Sequence, residues 1–156
     1  MIEIDVPGWG RRQIEHLVMD FNGCLGLDGQ LLEGVEDRLP LLSIRCRLHI
    51  CTADTFKTVK EQTSRFETAL KILHPTSQDQ QKAEVVRKLG PLNCAAIGNG
   101  RNDVLMLQEA ALGIAVIGAE GMACELVAAA DVICCDINDA LDLLLAPMRL
   151  TATLRR

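Results

Sequence analysis

The sequence has no tyrosine, one tryptophan and three phenylalanines among 156 residues, so a packed interior has to be built from aliphatic side chains. A basic excess is lacking too: 16 Lys and Arg stand against 21 Asp and Glu, a formal net charge of −5. Nucleic acid and anionic membrane are therefore disfavoured as main partners, because both need a basic surface to neutralise phosphates. A small anionic substrate would need a local positive site instead. No apolar run approaches the roughly 18 residues of a membrane-spanning helix, and the first residues show no basic stretch followed by an apolar stretch and a small-residue cleavage site. A cytoplasmic protein is expected. Cys-x-x-Cys pairs are absent, and His16, His49 and His74 have no metal-ligand spacing, which argues against structural zinc or haem. The seven cysteines lie mostly inside apolar runs such as Leu48-His49-Ile50-Cys51, as buried thiols of a reducing compartment do.

What remains is an ordinary globular composition, 49% hydrophobic and 24% charged, at a length that suits one domain with its own core. Met1 to Val6 alternates apolar and acidic residues, Pro7-Gly8-Trp9-Gly10 breaks the pattern, and Ile14 to Phe21 resumes it, which predicts an amino-terminal hairpin with residues 1–15 as its arm. Leu27-Asp28-Gly29-Gln30-Leu31 carries the Asp-Gly signal of a tight hairpin. Helices are predicted over Gly34 to Ile44, Phe56 to Arg65, Asp79 to Leu89, Asp103 to Ala110, Met122 to Ala129 and Asn138 to Leu145. Between them fall short apolar strands at Leu48 to Ala53, Thr68 to Leu73, Ala95 to Ile97, Gly113 to Ile117 and Val132 to Cys134. Continuously apolar strands alternating with helices predict an α/β domain over residues 1–146, a parallel sheet covered on both faces. Residues 147–156 show no clear periodicity and read as a tail.

Ligands of such sheets bind beyond the carboxyl ends of the strands, and the chemically informative residues fall there. Asp20-Phe21-Asn22-Gly23-Cys24 follows the first central strand, Thr52-Ala53 the second, Lys82 lies in a later helix, and Gly98-Asn99-Gly100-Arg101-Asn102-Asp103 follows another strand. Singly, each has an ordinary explanation: a turn residue at Asp20, a strand cap at Thr52, a solvated helix face at Lys82, a helix N-cap at Asp103. Together, over about residues 14 to 145, their order resembles the haloacid dehalogenase superfamily. Its motifs are Asp-x-Asp-Gly-Thr, a strand-end Thr or Ser, a Lys, and often Gly-Asp-Gly-x-Asn-Asp. The resemblance implies a three-layer, Rossmann-like fold and a Mg²⁺-dependent hydrolase. By that resemblance Asp20 is the nucleophile that becomes an aspartyl-phosphate, and Thr52 and Lys82 hold phosphoryl oxygens with the backbone at Gly23 and Ala53. Asp20, the Asn22 carbonyl, Asn99 and Asp103 would hold the metal. Phosphoryl transfer needs these types, since an anionic nucleophile approaches an anionic phosphate only where cations and donors compensate.

Two positions depart from the pattern. Asn22 stands where phosphatases of the superfamily carry the general acid, and an amide cannot perform that proton transfer. Asn99 stands where a metal-binding Asp is usual, and a neutral amide oxygen is a weaker donor to a hard cation. A non-acidic residue two after the nucleophile also resembles the phosphorylation domain of P-type ion-pumping ATPases and their soluble relatives. Cys24 replaces the usual Thr, as a small filler or a redox group. About 26 residues separate Cys24 from Cys51 and about 29 separate Thr52 from Lys82, which leaves no room for the substrate-selecting cap of the superfamily. An open site is expected, covered by a second subunit of a homo-oligomer through the amino-terminal hairpin and an exposed Trp9. Two functions stay open: a hydrolase acting on a phosphorylated small molecule or nucleotide, and a catalytically degenerate regulator that binds phosphate or nucleotide.

Overall fold

The computed structural model describes residues 1–54 and 57–156. Alternation sets the first element. Ile2, Ile4 and Val6 of β1 (Ile2–Val6) point inward and Glu3 and Asp5 outward, and β1 pairs antiparallel with β2 (Gly10–Ile14) from Ile2↔Ile14 to Val6↔Gly10. The segment expected as one strand from Ile14 to Phe21 is divided. At Glu15 the chain changes hydrogen-bond partners: its N–H donates to the Asn93 carbonyl at 2.9 Å and its carbonyl accepts from Arg47 N at 2.8 Å. The next strand, β3 (His16–Met19), therefore belongs to the main sheet and the hairpin ends at Ile14. Trp9 is half-buried, not exposed, and the Arg12 guanidinium lies 4.4 Å over its ring.

Asp28 and Gly29 both take positive φ, 50° and 77°, so a type I′ turn joins β4 (Gly26–Leu27) to β5 (Gln30–Leu31) as the Asp-Gly signal predicts. There follow α1 (Val35–Ser43), β6 (Arg47–Thr52), α2 (Val59–Thr63), β7 (Thr68–Ile72), α3 (Gln78–Leu89), β8 (Cys94–Gly98), α4 (Val104–Glu109), β9 (Leu112–Val116), β10 (Val132–Cys134) and α5 (Ile137–Leu145). Phe56, where the α2 helix was expected to start, lies outside the described residues. The expected helix over Met122 to Ala129 is only a 3₁₀ turn, Cys124–Ala128, with Leu126 as its single buried residue. One anchoring side chain gives too little apolar face to hold a longer helix. Residues 147–156, expected as a tail, contain helix α6 (Pro147–Leu154): Pro147 starts it, Leu150 is fully buried, and the Thr151 hydroxyl donates to the Asp5 carbonyl at 2.9 Å. α6 packs on β1 and completes the cover of the hairpin's apolar face.

The six-stranded sheet runs β10-β9-β8-β3-β6-β7 and is parallel throughout. Alternate strand residues feed two cores. Leu17, Met19, Ile50, Ile97 and Ile114 meet α1, α5 and the hairpin on one face, while Val18, Cys51, Ala96 and Ala115 meet α3 and α4 on the other. This is the expected three-layer α/β fold. Among the described residues only β4, β5 and α1 lie between β3 and β6, and only α2 between β6 and β7, so no cap domain is inserted at either place. No helix among the described residues is long and apolar enough to cross a membrane. Cys24, Cys46, Cys51, Cys94 and Cys134 are buried free thiols, and Cys124 and Cys135 are exposed.

Candidate active site

β3 and β8 are hydrogen-bonded neighbours, and the ladder continues one residue past β3, where Asp20 N donates to the Ile97 carbonyl at 3.0 Å. This fixes the Asp20 carboxylate at the carboxyl edge of the sheet centre, 6% exposed. β6 on its other side brings Thr52, fully buried, to the same edge, and the Asn22 amide donates to the Thr52 hydroxyl at 3.3 Å. Ala53, half-buried, follows Thr52. Lys82, fully buried in α3, is not on a solvated helix face. Its ammonium lies 2.9 Å from Asp20 Oδ1 and 2.6 Å from Asp103 Oδ1. Asp103 is held in turn, because its Oδ2 accepts from Asn99 N at 3.0 Å and Gly100 N at 2.9 Å. Gly98 makes room for it: a Cβ there would fall 2.5 Å from Asp103 Oδ2.

The turn after Asp20 works differently from the sequence expectation. The Gly23 N–H, expected to face phosphate, donates to the Gly26 carbonyl at 2.8 Å, and Cys24 N donates to the Phe21 carbonyl at 3.2 Å. Those donors are spent inside the turn. Gly23 is needed there for its positive φ of 73° and for its missing side chain, which would collide with Asn99 and Glu120. Cys24 is buried, and burial first, then the Asp20 and Asp103 carboxylates, pushes its thiol well above the usual range. A filler role suits it; a reactive thiolate does not.

One ammonium between two carboxylates leaves the cluster one negative charge in excess, away from water. Burial, and next the like charge of Asp103, push Asp20 up to about 7 against the pull of Lys82. Burial draws Lys82 down, but the attraction of Asp103 and Asp20 outweighs it and raises its pKa. Such a cluster favours a further cation.

Among the described residues no group of three or more His, Cys, Asp or Glu side chains is placed to hold a metal ion. The candidate Mg²⁺ donors are of another kind: two carboxylates, Asp20 and Asp103, with the Asn22 carbonyl and the Asn99 amide oxygen. Asn99 is 6% exposed and its amide nitrogen donates to the Gly121 carbonyl at 3.2 Å, yet its Oδ1 is buried without a hydrogen-bond partner. An orphaned buried oxygen of this sort is costly unless something binds it, and an all-oxygen set fits a hard divalent cation.

Two residues beside the site were not singled out from sequence. Asn102 sets its Oδ1 3.5 Å from the Lys82 ammonium and donates to Gln78 Oε1 at 2.9 Å. It lies inside the Gly98 to Asp103 motif, where its side chain carried a readable signal. Glu120 lies on the loop after β9, outside every motif, and only folding brings it to the Gly23 turn. A cavity of about 570 Å³, lined among others by Pro75, Ser77, Asn102, Val104 and Leu105, opens next to Asn102.

Comparison with known proteins agrees with this architecture. The structure is similar to 3-deoxy-D-manno-octulosonate 8-phosphate phosphatase from Moraxella catarrhalis, solved with magnesium ion, phosphate ion and a KDO molecule, at a TM-score of 0.66 and 20% identity, covering 90% of each chain. It is similar to a putative phosphatase of the same kind from Vibrio cholerae, at TM-score 0.71 and 16% identity over 96% of this chain and 97% of that one. A cobalt-bound deoxy-D-mannose-octulosonate 8-phosphate phosphatase from Haemophilus influenzae gives TM-score 0.67 at 12% identity, over 90% and 92%. At these identities the likeness is one of fold. In sequence, 86 residues are 44% identical to an uncharacterized protein of Methanocaldococcus jannaschii, covering 55% of this chain and 83% of that protein. Residues 47–140, more than half of the chain, match the family model described as haloacid dehalogenase-like hydrolase. The chain belongs to the haloacid dehalogenase-like hydrolases.

Proposed function

We propose that the chain is a Mg²⁺-dependent phosphohydrolase that carries the phosphoryl group on Asp20. The observation that supports this is the buried Asp20–Lys82–Asp103 cluster at the strand ends, a carboxylate held against an ammonium in a site with an unsatisfied oxygen donor beside it. One Asp20 oxygen attacks phosphorus, the bond to the leaving oxygen breaks with its electron pair going to that oxygen, and an aspartyl-phosphate results. Lys82 and the Thr52 hydroxyl hold phosphoryl oxygens, with the backbone at Ala53 beside them. Asp103 keeps Lys82 in place through its ion pair and its two backbone hydrogen bonds. Asp20, the Asn22 carbonyl, Asn99 and Asp103 hold Mg²⁺, which when bound supplies the positive charge that lets two anions meet. Water then attacks phosphorus, the bond to Asp20 breaks with its electron pair returning to the carboxylate, and the water's proton passes to the released phosphate or to solvent.

Asn22 makes both proton transfers difficult, because its amide neither gives a proton to the leaving oxygen nor takes one from water. Substrates whose leaving group needs no proton are therefore preferred: acyl phosphates, nucleotide anhydrides and aryl phosphates. A second reading, a regulator that binds phosphate or nucleotide without turnover, is favoured by the same residue, since an amide bonded to the Thr52 hydroxyl stands in place of a proton-transferring carboxylate.

Incubation with acetyl phosphate and Mg²⁺, read by intact mass, separates them. A phosphate adduct that disappears in Asp20→Ala is expected for the enzyme. Phosphate binding with neither adduct nor turnover would establish the regulator. Asn22-Gly23 and Asn99-Gly100 are Asn-Gly pairs that can deamidate, so the protein is checked by mass for conversion before assay.

A further inference from the structure

Thr52 ends β6 with its side chain fully buried, so its hydroxyl has to find its hydrogen-bond partners away from water. Such a hydroxyl has two lone pairs to accept with and one proton to give. Both lone pairs are taken. The Asn22 amide nitrogen donates to the Thr52 oxygen at 3.3 Å, and the Asp54 backbone N–H donates to it at 3.1 Å. Among the described residues no group accepts the Thr52 proton in return.

The two donors are held in place by the same small hairpin. Asp54 takes a φ of 48°, in the left-handed region that a short polar side chain tolerates, and its carboxylate accepts from Val59 N at 3.2 Å while its carbonyl accepts from Lys57 N at 2.9 Å. Val59 begins α2, which is tied to the β4–β5 hairpin: the Thr58 hydroxyl donates to the Gly29 carbonyl at 2.6 Å, and Leu31 N donates to Gln62 Oε1 at 3.1 Å. On the other side Asn22 forms a parallel bridge with Gly26 of β4, closed by the bond from Gly23 N to the Gly26 carbonyl. A buried donor with no acceptor is costly. It marks a place for an acceptor from outside the chain, on the strand next to the one that ends at Asp20.

Resting on the phosphate site of the proposed function, we propose that Asn22 is a positioning residue for phosphate binding. By filling the second lone pair of Thr52 it makes the hydroxyl a fixed donor, whose proton is left for a phosphoryl oxygen. A carboxylate at position 22 could only accept, and would take that proton for itself. The amide gives up proton transfer and tightens the hold on the anion.

Calorimetric titration with inorganic phosphate, at a fixed magnesium chloride concentration, reads this without turnover. Thr52→Val is expected to weaken phosphate binding by roughly 10- to 100-fold, the range for a hydrogen bond to a charged group, and Thr52→Ser to stay near wild type. Asn22→Leu, neutral, similar in size and with its backbone carbonyl unchanged, is expected to weaken binding roughly three- to tenfold. Added to Thr52→Val, the same change has no further effect, because the amide acts through the hydroxyl. An equal loss from Asn22→Leu in both backgrounds shows the amide meeting phosphate directly and overturns the proposal. Unaltered or tighter binding in Asn22→Leu overturns it as well, since the amide oxygen would then have been holding the Thr52 proton. So does a Thr52→Ser chain as weak as Thr52→Val, which reduces Thr52 to a packing role. Each of these leaves the Asp20 adduct, and with it the proposed function, standing. A wild-type chain that binds no phosphate overturns the phosphate site and this role together.

Discussion

Asn22 and Lys82 show how far single residues carry the chemistry. Asn22 donates to Thr52, so its amide already occupies the place where a proton-transferring carboxylate would sit. Asn22→Asp is expected to raise kcat on alkyl phosphomonoesters by roughly 10²- to 10⁴-fold, the usual contribution of general acid–base catalysis. Steady-state assays with acetyl phosphate beside an alkyl ester check it, because the acyl phosphate gains far less. Lys82 has a structural duty as well. Lys82→Met would leave Asp20 and Asp103 buried against each other without a cation, and about 3–5 kcal/mol of stability should be lost, measured by urea unfolding. Adding Asp103→Asn should return part of it. The residue types at 20, 52, 82 and 103 were legible in the sequence because chemistry restricts them. The bonding of Gly23 N–H to Gly26 was not, since it depends on how the turn closes.

Elements follow the same division. The strands and most helices could be read from apolar spacing, and the Asp28-Gly29 hairpin from its dipeptide. α6 could not, because its only fully buried side chain is Leu150 and its support comes from β1, nearly 150 positions earlier in the chain, through the Thr151–Asp5 bond. Leu150→Ala is expected to cost about 2–5 kcal/mol, visible as a lower urea midpoint. Away from the candidate site, at the start of β3 and midway along β6, His16 Nδ1 and His49 Nε2 lie 3.0 Å apart. Burial, with His16 and Arg47 adding to it, lowers His49 from 6.5 to about 4. The unfolded chain then binds the proton more readily than the folded one. This contribution to stability is therefore present above 6.5 and is lost as pH falls toward 4. Replacing His49 by Gln should flatten the difference in urea midpoint across that window.

The whole molecule decides who can reach Asp20. No cap lies between β3 and β6 or between β6 and β7 among the described residues, and a cavity opens beside Asn102, a neighbour of Lys82. Leu105→Trp would narrow that cavity. We expect kcat/KM for para-nitrophenyl phosphate to drop roughly tenfold, a loss of about 1.4 kcal/mol, with acetyl phosphate unaffected. The amino-terminal hairpin, expected as a contact between subunits, buries its apolar face against α6 and the sheet of its own chain. What the hairpin leaves exposed is its polar face, Glu3, Asp5, Arg11 and Gln13. The sequence by itself determined the alternating α/β plan, the strand-end motifs and the two amides at 22 and 99, because hydrophobic period and residue chemistry act locally. The placement of Glu120 over Gly23, the burial of Lys82 between two carboxylates and the docking of α6 were decided only by tertiary structure, because each depends on distant segments converging at one point.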